Sequence, residues 1–178
     1  MKTDPELNGE KFIVFTVADY RFALPIDEVV QIVKRPATTP ELSKAGLIQL
    51  GRQVIRLLDL HQQLEPENGA NYSEDCSFLV ITHRLAEGFC AIPVSEPPNL
   101  VEFPQASMQS LPPTRDRSGV LRIASHAATL DVDRVPATIF LIDMQRMLDA
   151  RSEVLDRAMP MAHAIDDFGY NPAKEARE

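Results

Sequence analysis

The sequence contains little cysteine, little glycine and no long apolar run. Two cysteines in 178 residues are too few for a disulfide framework. Seven glycines leave little material for a phosphate-binding loop, and the common nucleotide-binding and nucleophile-elbow motifs are absent from the sequence. The purely apolar runs reach only about five residues, against the ~20 that a membrane-spanning helix needs, so we expect no membrane insertion.

Basic residues are also scarce. The chain carries 18 Lys+Arg against 26 Asp+Glu, a formal net charge of −8, and has no basic run. Nucleic acid is therefore excluded as an expected partner, because such binding depends on neutralising phosphates. No Cys-x-x-Cys, His-Glu-x-x-His or acidic calcium loop is present, so we expect no dedicated metal site. The first residues lack the apolar segment of a secretory signal.

What the chain does have is enough apolar sequence for a core. The hydrophobic fraction is 44%, typical of a globular protein, and the length fits one domain or two small lobes that share a core. Fourteen prolines argue against a helical bundle. We expect a flexible N-terminus at 1–10, a single domain at 11–159 and a loose tail at 160–178.

The hydrophobic pattern predicts about ten short strands and few helices. The expected strands lie at 12–18, 21–25, 30–33, 46–50, 54–58, 77–83, 88–94, 100–103, 120–124, 127–132 and 137–142. The first is apolar on both faces, as in a strand covered on two sides. Asp59 is placed to cap a short helix at 60–64, and a longer helix with a methionine stripe starts at Asp143. Segment 104–118 shows no period and is interpreted as a long loop. The fold class is mainly β, with small closed barrels.

A catalytic site is hard to find. The sharpest candidate is a Cys/His hydrolase with Cys90 as nucleophile, His83 or His126 as base, and Asp131 or Asp133 orienting that base. Cys90 lies within an apolar strand pattern, however, where a thiol is held protonated and inert. We therefore expect a buried free thiol, no enzymatic activity and a protein that acts by presenting surface.

The order of the segments resembles the CheW-like family. The likeness lies in residues 12–16, 22–26, 29–32, 46–60, 78–81, 88–94 and 139–143. It implies two five-stranded β-barrels packed side by side with a C-terminal helix. It also implies a cytoplasmic adaptor, without catalytic activity or cofactor. Such adaptors bridge the signalling tips of methyl-accepting chemotaxis receptors and the regulatory domain of a CheA-type histidine kinase.

The sequence departs from the family pattern at several of the positions that the resemblance assigns to partner binding. Gln31 stands where the family has an acidic residue, Gly51 and Arg52 exchange the family's arginine-glycine order, and Arg56 replaces a proline. We expect the partner-binding residues to be Val29, Gln31, Val33, Leu50, Gly51, Arg52, Ile55 and Arg56. They would line a groove between the barrels that accepts a helical receptor tip, while an apolar patch on the other barrel meets the kinase.

The departures keep an alternative open. The protein could be a CheW-fold component of a pilus-motility or light-steering system with altered partners, or an inhibitor of array assembly.

Overall fold

The computed structural model describes residues 9–65, 75–84, 88–112, 119–132 and 135–147, and strands dominate them. In this part of the chain the strands are β1 (Gly9–Val17), β2 (Tyr20–Pro25), β3 (Val29–Lys34), β4 (Leu47–Leu50), β5 (Gln53–Leu57), β6 (Phe78–Arg84), β7 (Gly88–Val94), β8 (Asn99–Pro104), β9 (Met108–Ser110), β10 (Ala124–Val132) and β11 (Val135–Ile142). The helices are α1 (Pro40–Lys44), α2 (Leu60–Leu64) and the 3-10 helices Ile26–Glu28, Gln105–Ser107 and Gly119–Arg122. The chain is mainly β, as predicted.

A six-stranded sheet joins the two ends of the described chain. Its order is β8-β1-β2-β11-β10-β9. β1 and β2 form an antiparallel hairpin in which Phe15 lies opposite Phe22. β11 pairs in parallel with β2, with Ile139 opposite Arg21. The sheet is therefore incomplete until the last strands have been added to the first ones.

A five-stranded sheet is built from the strands between them, in the order β3-β6-β7-β5-β4. Its strands pair antiparallel except β5 and β7, which run in parallel with Arg56 opposite Cys90. β3 and β4 form the two edges of this sheet.

β1 is buried on both faces, as its sequence predicts. Ile13, Phe15 and Val17 face an apolar cluster to which both sheets contribute. Phe12 and Val14 face the other way, into a cluster formed within the six-stranded sheet. The period of two along a strand sends successive side chains to these two environments.

The five-stranded sheet is arranged in the same way. Leu79 and Ile81 of β6 belong to a cluster confined to this sheet, whereas Val80 between them belongs to the shared cluster. Each sheet thus encloses an apolar interior of its own and packs its other face on its neighbour. The result is two barrel-like subdomains side by side. One of them has six strands where five were expected, because the three-residue β9 adds an edge.

The predicted helix after β11 begins where expected. A carboxylate oxygen of Asp143 accepts a hydrogen bond from the backbone N–H of Arg146 at 3.0 Å, and residues 144–147 are helical. Met144 and Met147 are buried in the shared cluster, so the methionine stripe packs against the core. The rest of this helix, to its expected limit at Pro160, lies outside the described residues, as do residues 1–8 and the tail 160–178.

Two expectations for the second half were wrong. The segment expected to form a strand at 120–124 is mostly a 3-10 helix, since Val120 and Ile123 are buried three residues apart, a spacing that places side chains on one side of such a helix. The long loop expected at 104–118 contains β9, whose polar residues Gln109 and Ser110 show no alternation.

At the other end of the chain, β1 begins at Gly9, two residues before the expected domain boundary.

The short helix α2 lies where it was predicted, at residues 60–64, whereas α1 was not predicted. A carboxylate oxygen of Asp59 accepts from the backbone N–H of His61 at 2.9 Å, which confirms the cap on α2. Pro40 occupies the first turn of α1, where its missing N–H costs nothing. None of the helices in the described ranges has the length and apolar character needed to cross a membrane.

Candidate functional site

A groove of about 340 Å³ opens on the five-stranded sheet. Every strand of this sheet contributes to its walls. The lining residues are Val30, Gln31, Leu50, Gly51, Gln53, Ile55, Ile81 and Phe89. Both edge strands, β3 and β4, reach the groove. The sheet is therefore curled so that its edges face each other across the groove.

The groove lies within one subdomain, which corrects the expectation that it would run between the two barrels. The sequence shows that β3 and the β4–β5 hairpin are apolar, but it does not show that they are opposite edges of one curled sheet. Their approach depends on β6 and β7, which lie between β3 and β5 in the sheet order.

Four of the expected partner-binding residues meet in this groove: Gln31, Leu50, Gly51 and Ile55. Val29 and Val33 instead pack against the buried clusters, Val29 against the shared cluster and Val33 against the interior of the five-stranded sheet. Arg52 and Arg56 are exposed and do not line the groove.

A β-bulge in β3 explains why neighbouring residues both reach the groove. Val29 lies opposite Thr82 and Gln31 lies opposite Ile81, so Val30 is the extra residue of the bulge. A bulge disturbs the alternation of side chains and turns the strand. Val30 is 42% exposed and lines the groove beside Gln31.

Gly51 and Arg52 form the two-residue turn of the β4–β5 hairpin, in which Leu50 pairs with Gln53. Gly51 has a φ of +59°, while the residues with positive φ do not include Arg52. A glycine at the first central position is what a type II′ turn requires. The glycine-arginine order is thus the order that this turn needs, and Arg52 lies at the hairpin tip rather than on a strand face.

The alternation of β5 separates Ile55 from Arg56. Ile55 is only 6% exposed and belongs to the interior cluster of this sheet, while Arg56 and Val54 point to the outer face. Ile55 therefore forms the floor of the groove and stabilises the fold at the same time.

Four groove residues are not among the partner-binding residues named from the sequence, although the first two lie within the segments that those residues span: Val30, Gln53, Ile81 and Phe89. Ile81 lies opposite Gln31 across the β3–β6 ladder, so correct strand pairing would have identified it. Val30 depends on the bulge, for which the sequence gives no signal.

The lining residues of the groove carry no charged side chain. Apolar groups form most of the surface, and the amides of Gln31 and Gln53 supply donors and acceptors. Such a surface suits an apolar partner segment with a few polar groups.

An unpartnered carboxylate lies just before β3. The Oε2 atom of Glu28 is buried, and no described residue gives it a hydrogen bond. Burial raises the pKa of Glu28 above its usual value of 4.5, and the nearby carboxylates of Asp27 and Asp143 raise it further. Deprotonation of Glu28 therefore destabilises the folded state.

We expect Glu28→Gln to stabilise the protein at neutral pH. Above pH 4.5 the folded state holds the Glu28 proton more tightly than the unfolded state, so the wild type loses stability as pH rises through the raised pKa. The glutamine variant does not lose stability in this way. Its greater stability relative to the wild type should disappear as pH falls below 4.5. Urea unfolding midpoints from pH 4 to 8 measure the effect. Glu96→Gln, at an exposed position, is the control, and an equal gain there would contradict the assignment.

The hydrolase alternative gains no support from the geometry. Cys90 is 0% exposed in the shared cluster, and its sulfur lies 3.0 Å from the Thr82 hydroxyl. His83 follows Thr82 along β6, so its side chain lies on the opposite face of the sheet from Thr82. The His83 ring is 5.4 Å from that of Phe89. His126 lies on the other sheet, 2.9 Å from the Ser125 hydroxyl.

Both thiols are buried, as expected. Burial raises the pKa of the Cys76 thiol, partly offset by a hydrogen bond with Ser95. In the described part of the chain, no three His, Cys, Asp or Glu residues come together as a metal site would require.

Comparisons with known proteins agree with this architecture. The family model of the CheW-like domain matches residues 11–152. No curated protein matches the chain. Among solved structures, the chain is similar to the scaffolding protein TtCheW from Thermoanaerobacter tengcongensis, at a TM-score of 0.57 and 20% identity. The similarity covers 76% of this chain and 89% of that chain, and it shows a shared fold.

Proposed function

The chain belongs to the CheW-like domain family, and on this premise we propose that it is a non-enzymatic adaptor. It couples chemoreceptors to a CheA-type histidine kinase in a chemotaxis or related motility pathway and acts in the cytoplasm. Its single domain, residues 11–159, comprises the two barrel-like subdomains. The observation that carries the proposal is the uncharged groove on the five-stranded sheet, because it offers a recognition surface without reactive groups.

The groove is assigned to the helical tip of the receptor. A helix docks by inserting a few apolar side chains, spaced three or four residues apart, into a hydrophobic groove. Contacts for such side chains come from the exposed Val30 and from the half-buried Leu50 and Phe89. Ile55 forms the floor below them. Arg52, at the hairpin tip next to Gly51, is placed to pair with acidic residues around the docked helix, whereas Arg56 points to the outer face, away from the groove.

The kinase regulatory domain is assigned to the six-stranded sheet. A second depression, of about 460 Å³, lies between the β1–β2 turn and the start of β11. Tyr20 and Val135, which are 40% and 63% exposed, form its apolar wall, and Asp19 and Arg21 lie beside them. Exposed apolar side chains mixed with polar and charged groups are common in protein interfaces.

We expect Val30→Asp to weaken binding to the receptor tip at least about tenfold, since it places a charge at the centre of an apolar contact. Isothermal titration with a purified fragment of the cognate receptor's signalling tip measures the effect. The matched control is Val54→Asp, the same change on the outer face of the same sheet, where Val54 is 54% exposed. Affinity within twofold of the wild type for V30D, or an equal loss for V54D, would contradict the assignment of the groove.

The alternative, a pilus-motility or light-steering system with altered partners, is favoured by one observation: Gln31 places an amide where the family carries an acid. Gln31→Glu separates the two possibilities, because Gln31 lines the groove directly. If the partner is a standard chemotaxis receptor, the acid should strengthen its binding. If the groove has changed its partner, the added charge should weaken binding of the native receptor, measured in the same titration.

A further inference from the structure

A separate cavity of about 760 Å³ lies where the β3–β6 ladder ends. It shares no lining residue with the groove. Its polar walls come from Lys34 at the end of β3 and Arg35 after it, from Thr38 and Ser43 around α1, and from Ser77 before β6. The backbone N–H of Arg35 donates to the carbonyl oxygen of Ser77 at 2.9 Å, which holds the two sides of the cavity together.

The charge of this cavity is opposite to that of the chain. Two cations and three hydroxyl groups line it, and no acidic side chain is among its lining residues, although the whole chain carries −8. Lys34 and Arg35 attract anions at distances shorter than the Debye length, against the opposing charges of Asp59 and Asp75, which act on Cys76 in the cavity wall.

One nitrogen of the Arg35 guanidinium has no partner in the described part of the chain. This Nη1 atom is buried, and no described residue accepts a hydrogen bond from it. A buried guanidinium nitrogen is costly to leave unpaired, and nearly all such groups in folded proteins are satisfied. Since the Arg35 side chain borders the cavity, an anion there would supply the missing acceptor once the guanidinium turns toward it.

We propose that this cavity binds the phosphate group of a small molecule. The planar fork of arginine matches two phosphate oxygens, lysine adds a point charge, and hydroxyl groups donate to the remaining oxygens. A cavity of this volume falls within the range of sites for small ligands, and a lone phosphate would leave most of it empty. A phosphate ester such as a nucleoside diphosphate therefore fits better than the free ion.

The experiment uses the full chain labelled with ¹⁵N, titrated with ADP, with inorganic phosphate and with sodium chloride at matched ionic strength. In NMR spectra, we expect the chemical shifts of the Thr38, Ser43 and Ser77 amides to change saturably with ADP and with phosphate. Chloride should not change them. ADP binding more tightly would identify a phosphate ester as the natural source, and equal affinity would identify the free ion. Either ranking supports a phosphate-group site.

Arg35→Gln is expected to weaken ADP binding at least about tenfold, because it removes the bidentate donor. Ser77→Ala, at an exposed hydroxyl, should weaken it by a smaller factor and provides a second test if R35Q folds poorly. The control is Lys11→Gln, which removes the same charge from an exposed position on β1 of the other sheet. Shifts equal to those with chloride, or unchanged affinity in a folded R35Q variant, would overturn the proposal.

Discussion

Replacing Phe22 by alanine is expected to lower the free energy of unfolding by about 3–5 kcal/mol, as for other large-to-small changes in a core. Phe22 is 0% exposed in the cluster that both sheets share. Its ring lies 6.3 Å from those of Phe15, Tyr20 and Phe140, which belong to three different strands. Removing it leaves a cavity where β1, β2 and β11 meet.

Urea unfolding followed by circular dichroism measures this loss. Phe22→Leu is the control, since it retains most of the apolar volume and should cost less than half as much. A loss below about 1 kcal/mol for Phe22→Ala would mean that the shared cluster collapses around the missing ring, against the usual behaviour of close-packed cores.

The second large effect on stability is expected when aspartate is introduced at one of two adjacent positions on β5 and not at the other. Ile55→Asp places a carboxylate in the interior of the five-stranded sheet, where Ile55 is 6% exposed, and should cost more than about 4 kcal/mol or prevent folding. Val54→Asp, one residue earlier and 54% exposed, should change stability by no more than about 0.5 kcal/mol.

The contrast tests the register of β5, because a slip by one residue would exchange the two faces. Unfolding curves of the two variants measure it directly. Similar stabilities for I55D and V54D would show that β5 does not alternate as described. The comparison also shows why Ile55→Asp is a poor probe of partner binding: loss of the fold would remove the groove with it.

Features that depend on neighbouring residues were predictable from the sequence. The apolar run of β1 indicated burial on both faces, and its two faces do contact different clusters. Asp59 before α2 indicated a helix cap, which the hydrogen bond to His61 confirms. In each case the periodicity or capping chemistry acts within a few residues.

Features that depend on distant pairings were not predictable. The location of the groove follows from the strand order of the five-stranded sheet, and that order includes the parallel pair β5–β7. The bulge at Val30 arises from the fit of β3 to β6, so the residue that it exposes could not be identified beforehand. The 3-10 helix at Gly119–Arg122 also depends on the core, since residues 120–124 are equally compatible with a strand.

The pairing of Arg21 with Ile139 has a consequence for how the molecule is made. On the ribosome, β1 and β2 emerge first, yet the edge of β2 stays open until β11 has been translated. Contacts between such distant segments are formed late, because closing a long loop costs entropy before the contact repays it. The nascent hairpin therefore keeps an unpaired strand edge until β11 has been translated, and such an edge favours aggregation during synthesis.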